Sequence, residues 1–222
     1  MGPARRRGVA VDEPEHAGFW DGSASRVALL GSAVLCFART GFHATTTRDI
    51  TAAVGLSPGA LYVHFPSKEA VLFEIARTGH QRSLDALRAE PDTGDSRAHL
   101  HRLVVALVTW HARHHTVARV CQYELAALEP EHLAVVRELR QEFTGVLRAA
   151  VQRGVADGLF DVPDVNRAVR AVLSLGIDLV RWYRLDGADP PETIGEAYAD
   201  LALRMLGSPP DAVSPRCSPP TG

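Results

Sequence analysis

Residues suited to gripping an anion crowd one stretch of the 222-residue chain: Thr46, Thr47 and Arg48, then Ser57, then Tyr62, His64 and Lys68. Hydroxyls and cations near helix starts suit phosphate, because a helix N-terminus already presents free N–H groups and a positive dipole end. Gly59 and Ala60 carry almost no side chain, so a helix bearing them can sit deep against a ligand. A second cluster, His111, His114 and His115, has spacing that could ligate a metal from one helix face. No carboxylate–histidine or cysteine pattern accompanies it, so structural or surface histidines are expected, and no metal or cofactor. A histidine-site metalloenzyme is the least favoured function. The chain has no nucleophile elbow, no glycine-rich phosphate loop after a strand and no paired carboxylates set for acid–base work.

Two short helices must position the first cluster. Thr46 can cap one, with Asp49 as its capping-box partner. Ile50, Ala53 and Val54 give it an inward stripe, and Gly55 suits a left-handed C-cap. Ser57 caps the second, and Pro58 takes its first position, where a missing N–H costs nothing. Leu61 and Phe65 face inward, leaving Gly59, Ala60, Tyr62 and His64 outside. Two helices about a glycine turn form a helix-turn-helix, which places its second helix in the major groove of DNA.

This stretch resembles the TetR family of transcriptional repressors over residues 23–77. The resemblance is carried by Gly41-Phe42, Thr45 to Ile50, Val54 to Ser57, Gly59 to Tyr62, His64-Phe65 and Ser67-Lys68-Glu69. It implies a double-stranded DNA operator touched by Thr46, Thr47, Arg48, Ser57, Gly59, Ala60, Tyr62, His64 and Lys68. Tyr62, His64 and Lys68 match positions that usually contact phosphate. Base discrimination would rest on Arg48, Ser57, an apolar contact of Ala60 with a thymine methyl, and DNA shape.

The formal charge is −2, so positive charge must be local rather than global. Lys68 is the only lysine, and three cysteines, Cys36, Cys121 and Cys217, lie far apart. They offer no disulfide framework, which fits a reducing cytoplasm, with Cys36 and Cys121 as buried free thiols. No apolar run is long enough to span a bilayer, and none forms a leader at the N-terminus, so a cytoplasmic protein away from the membrane is expected.

Residues 1–20 read as a disordered arm, with Arg5-Arg6-Arg7 able to follow a duplex, and residues 208–222 as a disordered tail rich in Pro and Ser. Between them an all-α chain of about nine helices is expected. Residues 21–66 form a three-helix head, and 67–207 a helical body for effector binding and dimerisation. The first helix, from Ser23 to Arg39, props the head and ends at Gly41. Ser67 caps a long fourth helix to about Ala89, and the stretch from Glu90 to Asp95 is the clearest break. Leu100, Leu103, Val104, Leu107, Val108 and His111 mark an amphipathic helix. Further helices run from Thr116 to Leu128, from Pro130 to Gly158, from Pro163 to Tyr183, and after Pro191.

The resemblance implies that the body dimerises, since one recognition helix reads few base pairs and a two-fold pair reads two half-sites. The last two helices are the expected homodimer surface, with Ala168, Ala171, Ser174 and Gly176 allowing close approach. Trp110, His114, Arg119, Tyr123, Phe143 and Trp182, with His111, are candidates to line an effector pocket. The run from Leu179 to Arg184 and Tyr198 to Leu201 resembles the branch that controls lipid or steroid breakdown. That implies a small hydrophobic effector, acyl-CoA-like, whose binding releases a palindromic operator. The alternative is a helix-turn-helix regulator without a small-molecule effector, controlled by a protein partner.

Overall fold

The computed structural model describes residues 18–184 and 187–207. The Arg5–Arg7 arm, most of the N-terminal segment and the 208–222 tail lie outside the described residues. Nine α-helices and no strand occur among the described residues. They are α1 (Ala24–Thr40), α2 (Thr47–Ala53), α3 (Ala60–His64), α4 (Lys68–Arg88), α5 (Ser96–Arg113), α6 (His115–Tyr123), α7 (Pro130–Ala156), α8 (Val165–Ile177) and α9 (Pro191–Met205). Short 3₁₀ turns, Leu125–Ala127 and Asp178–Arg181, follow α6 and α8.

Local chemistry sets most helix ends. Ser23 caps α1 by accepting the Arg26 N–H, and Gly41 ends it at φ +81°, a conformation that glycine adopts without strain. Ser67 caps α4, Asp95 caps α5, and Pro130 opens α7 at its first turn. Two apolar clusters follow. One joins Leu29, Leu30, Phe37, Ile50, Leu61 and Phe65 of the head to Val71, Leu72 and Ile75 of α4 and to Val117 and Val120 of α6. The other packs α5, α7, α8 and α9 through Leu103, Leu107, Leu147, Val172 and Leu203. The head is therefore not packed by itself: α4 and α6 complete its core.

The structure departs from the sequence reading at several helix ends. Phe19 and Trp20, expected in the disordered arm, are buried, with Phe19 edge-on to Trp20 and 5.0 Å from the His114 ring. Helix α6 stops at Tyr123, and the chain to Leu128 continues as a 3₁₀ turn. Pro163 does not open α8; the Asp164 carboxylate caps it by accepting the Arg167 N–H. The helix expected to reach Tyr183 tightens at Asp178, which rotates later residues off its register, with Tyr183 inward and Trp182 outward. Gly176 faces inward, where an added Cβ would meet Leu107 at 2.8 Å, so it is not part of an outer small-residue stripe.

Candidate DNA interface and effector cavity

The start of α2 is a closed capping box. The Asp49 N–H donates to Thr46 Oγ1 at 3.1 Å, and the Thr46 N–H donates to Asp49 Oδ2 at 2.8 Å. The Thr46 hydroxyl also donates to Asp49 Oδ2, at 2.7 Å. These bonds hold the Asp49 carboxyl below its usual pKa. The Thr46 hydroxyl proton is thus spent within the box, so its side chain has no donor left for phosphate. Gly55 takes φ +69° at the turn, as its expected C-cap role requires.

Helix α3 begins later than the sequence reading has it. Ser57 and Pro58 precede it in a turn closed by the Ala60 N–H on the Ser57 carbonyl, and no side chain caps it. Ala53 lies exposed; Thr51 is buried in its place, its hydroxyl donating to Arg48 O. The outward set holds Arg48, Ser57, Gly59 and Tyr62, with Tyr62 58% exposed, while Thr47 and Ala60 are half-buried. Val63, overlooked in the sequence, is the most exposed large apolar residue of the head at 79%. An apolar side chain open on a recognition helix suits a thymine methyl. The Arg48 guanidinium has no hydrogen-bond or ion-pair partner among the described residues, so it is available.

Two predicted contact residues have internal partners. His64 Nε2 lies 2.8 Å from Ser25 Oγ, tying α3 to α1. Lys68 Nζ donates to Phe42 O and to Thr45 O, both at 2.6 Å, and sits 4.2 Å from the Phe42 ring centre. Burial pulls its ammonium below the usual lysine pKa, and the two carbonyls and the ring face offset that cost. Lys68 is first an anchor for the α1–α2 corner, with one N–H left over.

The body holds a half-open cavity of about 110 Å³ between α4, α5, α6, α7 and α8. Its lining includes His80, Trp110, His111, Cys121, Arg140 and Phe143. Of the predicted residues, Trp110, His111 and Phe143 reach it. His114 does not; it lines a separate groove with Phe19, Arg82 and Trp110. Arg119 and Tyr123 lie on the outer face of α6, the guanidinium 5.9 Å from the Tyr123 ring centre, because Ala118, Cys121 and Gln122 take the inner face. Trp182 lies outside, against Tyr183.

The cavity's imidazoles are neutral. His80 Nδ1 donates to Ala76 O and His111 Nδ1 to Leu107 O, each at 2.7 Å, which leaves Nε2 of each as the acceptor. Burial lowers both pKa values to about 4. Burial likewise pushes the Cys121 thiol up to about 12, so it is an inert packing group. Arg140 and Thr144 also line an open groove of about 780 Å³ that carries Arg137 and Arg148 on the outer face of α7. The guanidinium groups of Arg137 and Arg140 have no hydrogen-bond or ion-pair partner among the described residues.

His111, His114 and His115 do not gather into a group spaced to hold a metal among the described residues. Among the described residues, the only group spaced to hold a metal is Glu69, Glu129 and His132, at the junction of α4 and α7. There the Glu69 carboxylate accepts from the Glu129 N–H and from His132 Nδ1. The donors are satisfied as a cap on the start of α7.

Comparison with known proteins fits this geometry. Residues 29–75 match the model of bacterial regulatory proteins of the tetR family, and residues 93–206 match a tetracyclin repressor-like C-terminal domain. The chain belongs to the TetR family. It is similar to the HTH-type transcriptional repressor KstR2 of Rhodococcus jostii, at 35% identity over 84% of this chain and 93% of that protein. A solved tetR-family protein from Rhodococcus RHA1 is 39% identical, with TM-score 0.79, covering 85% of this chain and all of the other. KstR2 of Mycobacterium tuberculosis, described as a ketosteroid transcriptional regulator, is 26% identical, with TM-score 0.72 over 83% of this chain and 95% of that one. As a TetR protein the chain is a DNA-binding transcriptional regulator. No helix among the described residues is long and apolar enough to cross a membrane.

Proposed function

We propose that this TetR protein is a homodimeric repressor that leaves its palindromic operator when a small hydrophobic effector enters the α4–α7 cavity. The observation that carries the reading is the cavity's two-part character. An inner space lined by Trp110, Phe143, Leu173 and Ile177 adjoins a groove bearing Arg137, Arg140 and Arg148. Such a site takes a ligand with an apolar group at one end and anionic charge at the other, as an acyl-CoA thioester has. The similarity to regulators named KstR2 supports a steroid- or lipid-derived acyl group.

Helix α4 supplies the lever. It carries Gly79, His80 and Ser83 to the cavity and Lys68 to the head. A ligand that binds better when α4 is displaced shifts the population away from the operator-bound form. On α9, Gly195 and Ile194 face the body, while Leu201 and Met205 on the other side are 44% and 50% exposed. Leu201, Met205 and the exposed Trp182 are the apolar residues proposed to meet the second copy. Thr47, Arg48, Ser57, Tyr62 and Val63 are the proposed DNA contacts, with Gly59 and Ala60 allowing close approach.

The experiment is footprinting on the chain's own upstream DNA, followed by release assays with acyl-CoA thioesters of short, long and steroid-ring acids, free coenzyme A and the free acids. Release by one thioester, but not by its separate halves, is the expected result. A protected palindrome that none of these ligands loosens would sink the effector reading and leave the DNA reading standing.

A further inference from the structure

The corner between α1 and α2 is held from two sides by groups distant in sequence. Gly41 turns the chain out of α1 at φ +81°, and the next N–H, that of Phe42, meets no backbone carbonyl among the described residues. Glu124 Oε2 accepts it at 3.0 Å. On the other side, Lys68 Nζ holds the Phe42 and Thr45 carbonyls. A part-buried N–H needs an acceptor, and a carboxylate makes a stronger one than a neutral group. Glu124 lies just past α6, its own N–H bonded to the Val120 carbonyl, next to the cavity residues Cys121 and Gln122. The Phe42–Thr45 segment leads directly into the Thr46 capping box and so sets where α2 begins.

We propose that Glu124 is a positioning residue for operator binding, through which the cavity helix α6 fixes the α1–α2 corner of the head. This rests on reading the head as the DNA interface. Glu124 touches no DNA; it acts through Phe42. Any shift of the end of α6 moves an acceptor on which the corner depends. Loss of that acceptor leaves the Phe42 N–H unpaired and the start of α2 loose against the duplex. Simple charge gives the opposite expectation, because removing a carboxylate from a DNA-binding head tightens binding to a polyanion.

The test uses the full-length chain and its Glu124→Ala and Glu124→Gln variants. Operator affinity is read by fluorescence anisotropy, oligomeric state by size-exclusion chromatography, and Phe42 amide exchange by NMR or mass spectrometry without DNA. Glu124→Ala is expected to weaken operator binding by about 10–100-fold, the loss of one charge-assisted hydrogen bond. Its oligomeric state stays that of the parent, and Phe42 exchanges faster. Glu124→Gln, whose amide oxygen still accepts, is expected to recover most of the affinity and the slow exchange. Operator affinity in Glu124→Ala within twofold of the parent, or tighter, would overturn the proposal. So would Phe42 exchange unchanged in Glu124→Ala, or a Gln variant as weak as the Ala variant. Failure of the parent chain to bind DNA would count against the DNA reading, while the exchange experiment would still judge the Glu124–Phe42 link.

Discussion

Replacing Lys68 with Met separates two roles that its position allows. As a phosphate ligand, Lys68 would release counterions, and its loss would lower the slope of log affinity against log salt by about 0.9. As an anchor, it stabilises the folded head by holding Phe42 O and Thr45 O at 2.6 Å. Two hydrogen bonds to a charged donor are worth about 1.5–3 kcal/mol each, and water reaching a half-buried site returns part of that. A net loss of about 3 kcal/mol follows, which for a chain of this size lowers Tm by about 6–12 °C. The assays are scanning calorimetry at fixed protein concentration and operator titrations across a salt series. The expected variant melts early and binds every DNA more weakly, with its salt slope nearly unchanged. A variant with the parental Tm and a slope reduced by about 0.9 would refute the anchor and restore Lys68 as a phosphate contact.

The neutral cavity histidines make stability depend on acid. His80 and His111 have folded pKa values of about 4 against an ordinary value near 6.5, so the unfolded chain binds more protons between these limits. Their contribution is fully present above about pH 6.5 and is lost as pH falls towards 4. Melting scans from pH 7.5 to 4.5 should show this decline, and His111→Gln should flatten it; an equal decline in the variant would contradict the assignment. Leu201→Glu places a charge on the open face of α9 and should yield monomers by light scattering with a large loss of palindrome binding. A persistent dimer would move the interface elsewhere. Gly79→Ala would place a Cβ 2.7 Å from Cys121 Sγ and 3.2 Å from a Val117 methyl, where α4 crosses α6. Overpacking there should cost about 1–3 kcal/mol in chemical denaturation, and an unchanged midpoint would show that the two helices part freely.

What the sequence disclosed well was short-range. The Thr46–Asp49 box, the Gly41 and Gly55 turns and the Ser67 cap each depend on residues within four positions of one another, so spacing alone carries them. The amphipathic face of α5 was equally legible, because a face covered on one side repeats at three and four. Ala53 and Thr51 show where this stops. Both lie on a seven-residue helix, too short for periodicity to choose a face, and a buried threonine is permitted there because its hydroxyl bonds the Arg48 carbonyl. Arg119 and Tyr123, expected at the effector pocket, lie off the cavity for a related reason. Helix α6 is covered on more than one side, so nothing local says whether Arg119 and Tyr123 or Cys121 and Gln122 face the cavity.

The same limit explains why residue type did not reveal the anchor role of Lys68. A lone lysine beside a recognition helix looks like a charge waiting for phosphate, and its two carbonyl partners lie 26 and 23 residues upstream. Its counterpart Glu124 lies 82 residues downstream of Phe42 and carries no local signal. The head therefore has two kinds of functional residue. Arg48, Tyr62 and Val63 stand outside, exposed on the face proposed for DNA. Lys68, Glu124 and His64 stand behind and decide where those groups point. Only the second kind connects the head to α4 and α6, the helices that also line the cavity. A ligand in that cavity need not reach the duplex; it has only to change the distance between two anchored carbonyls, one N–H and the helices that hold them.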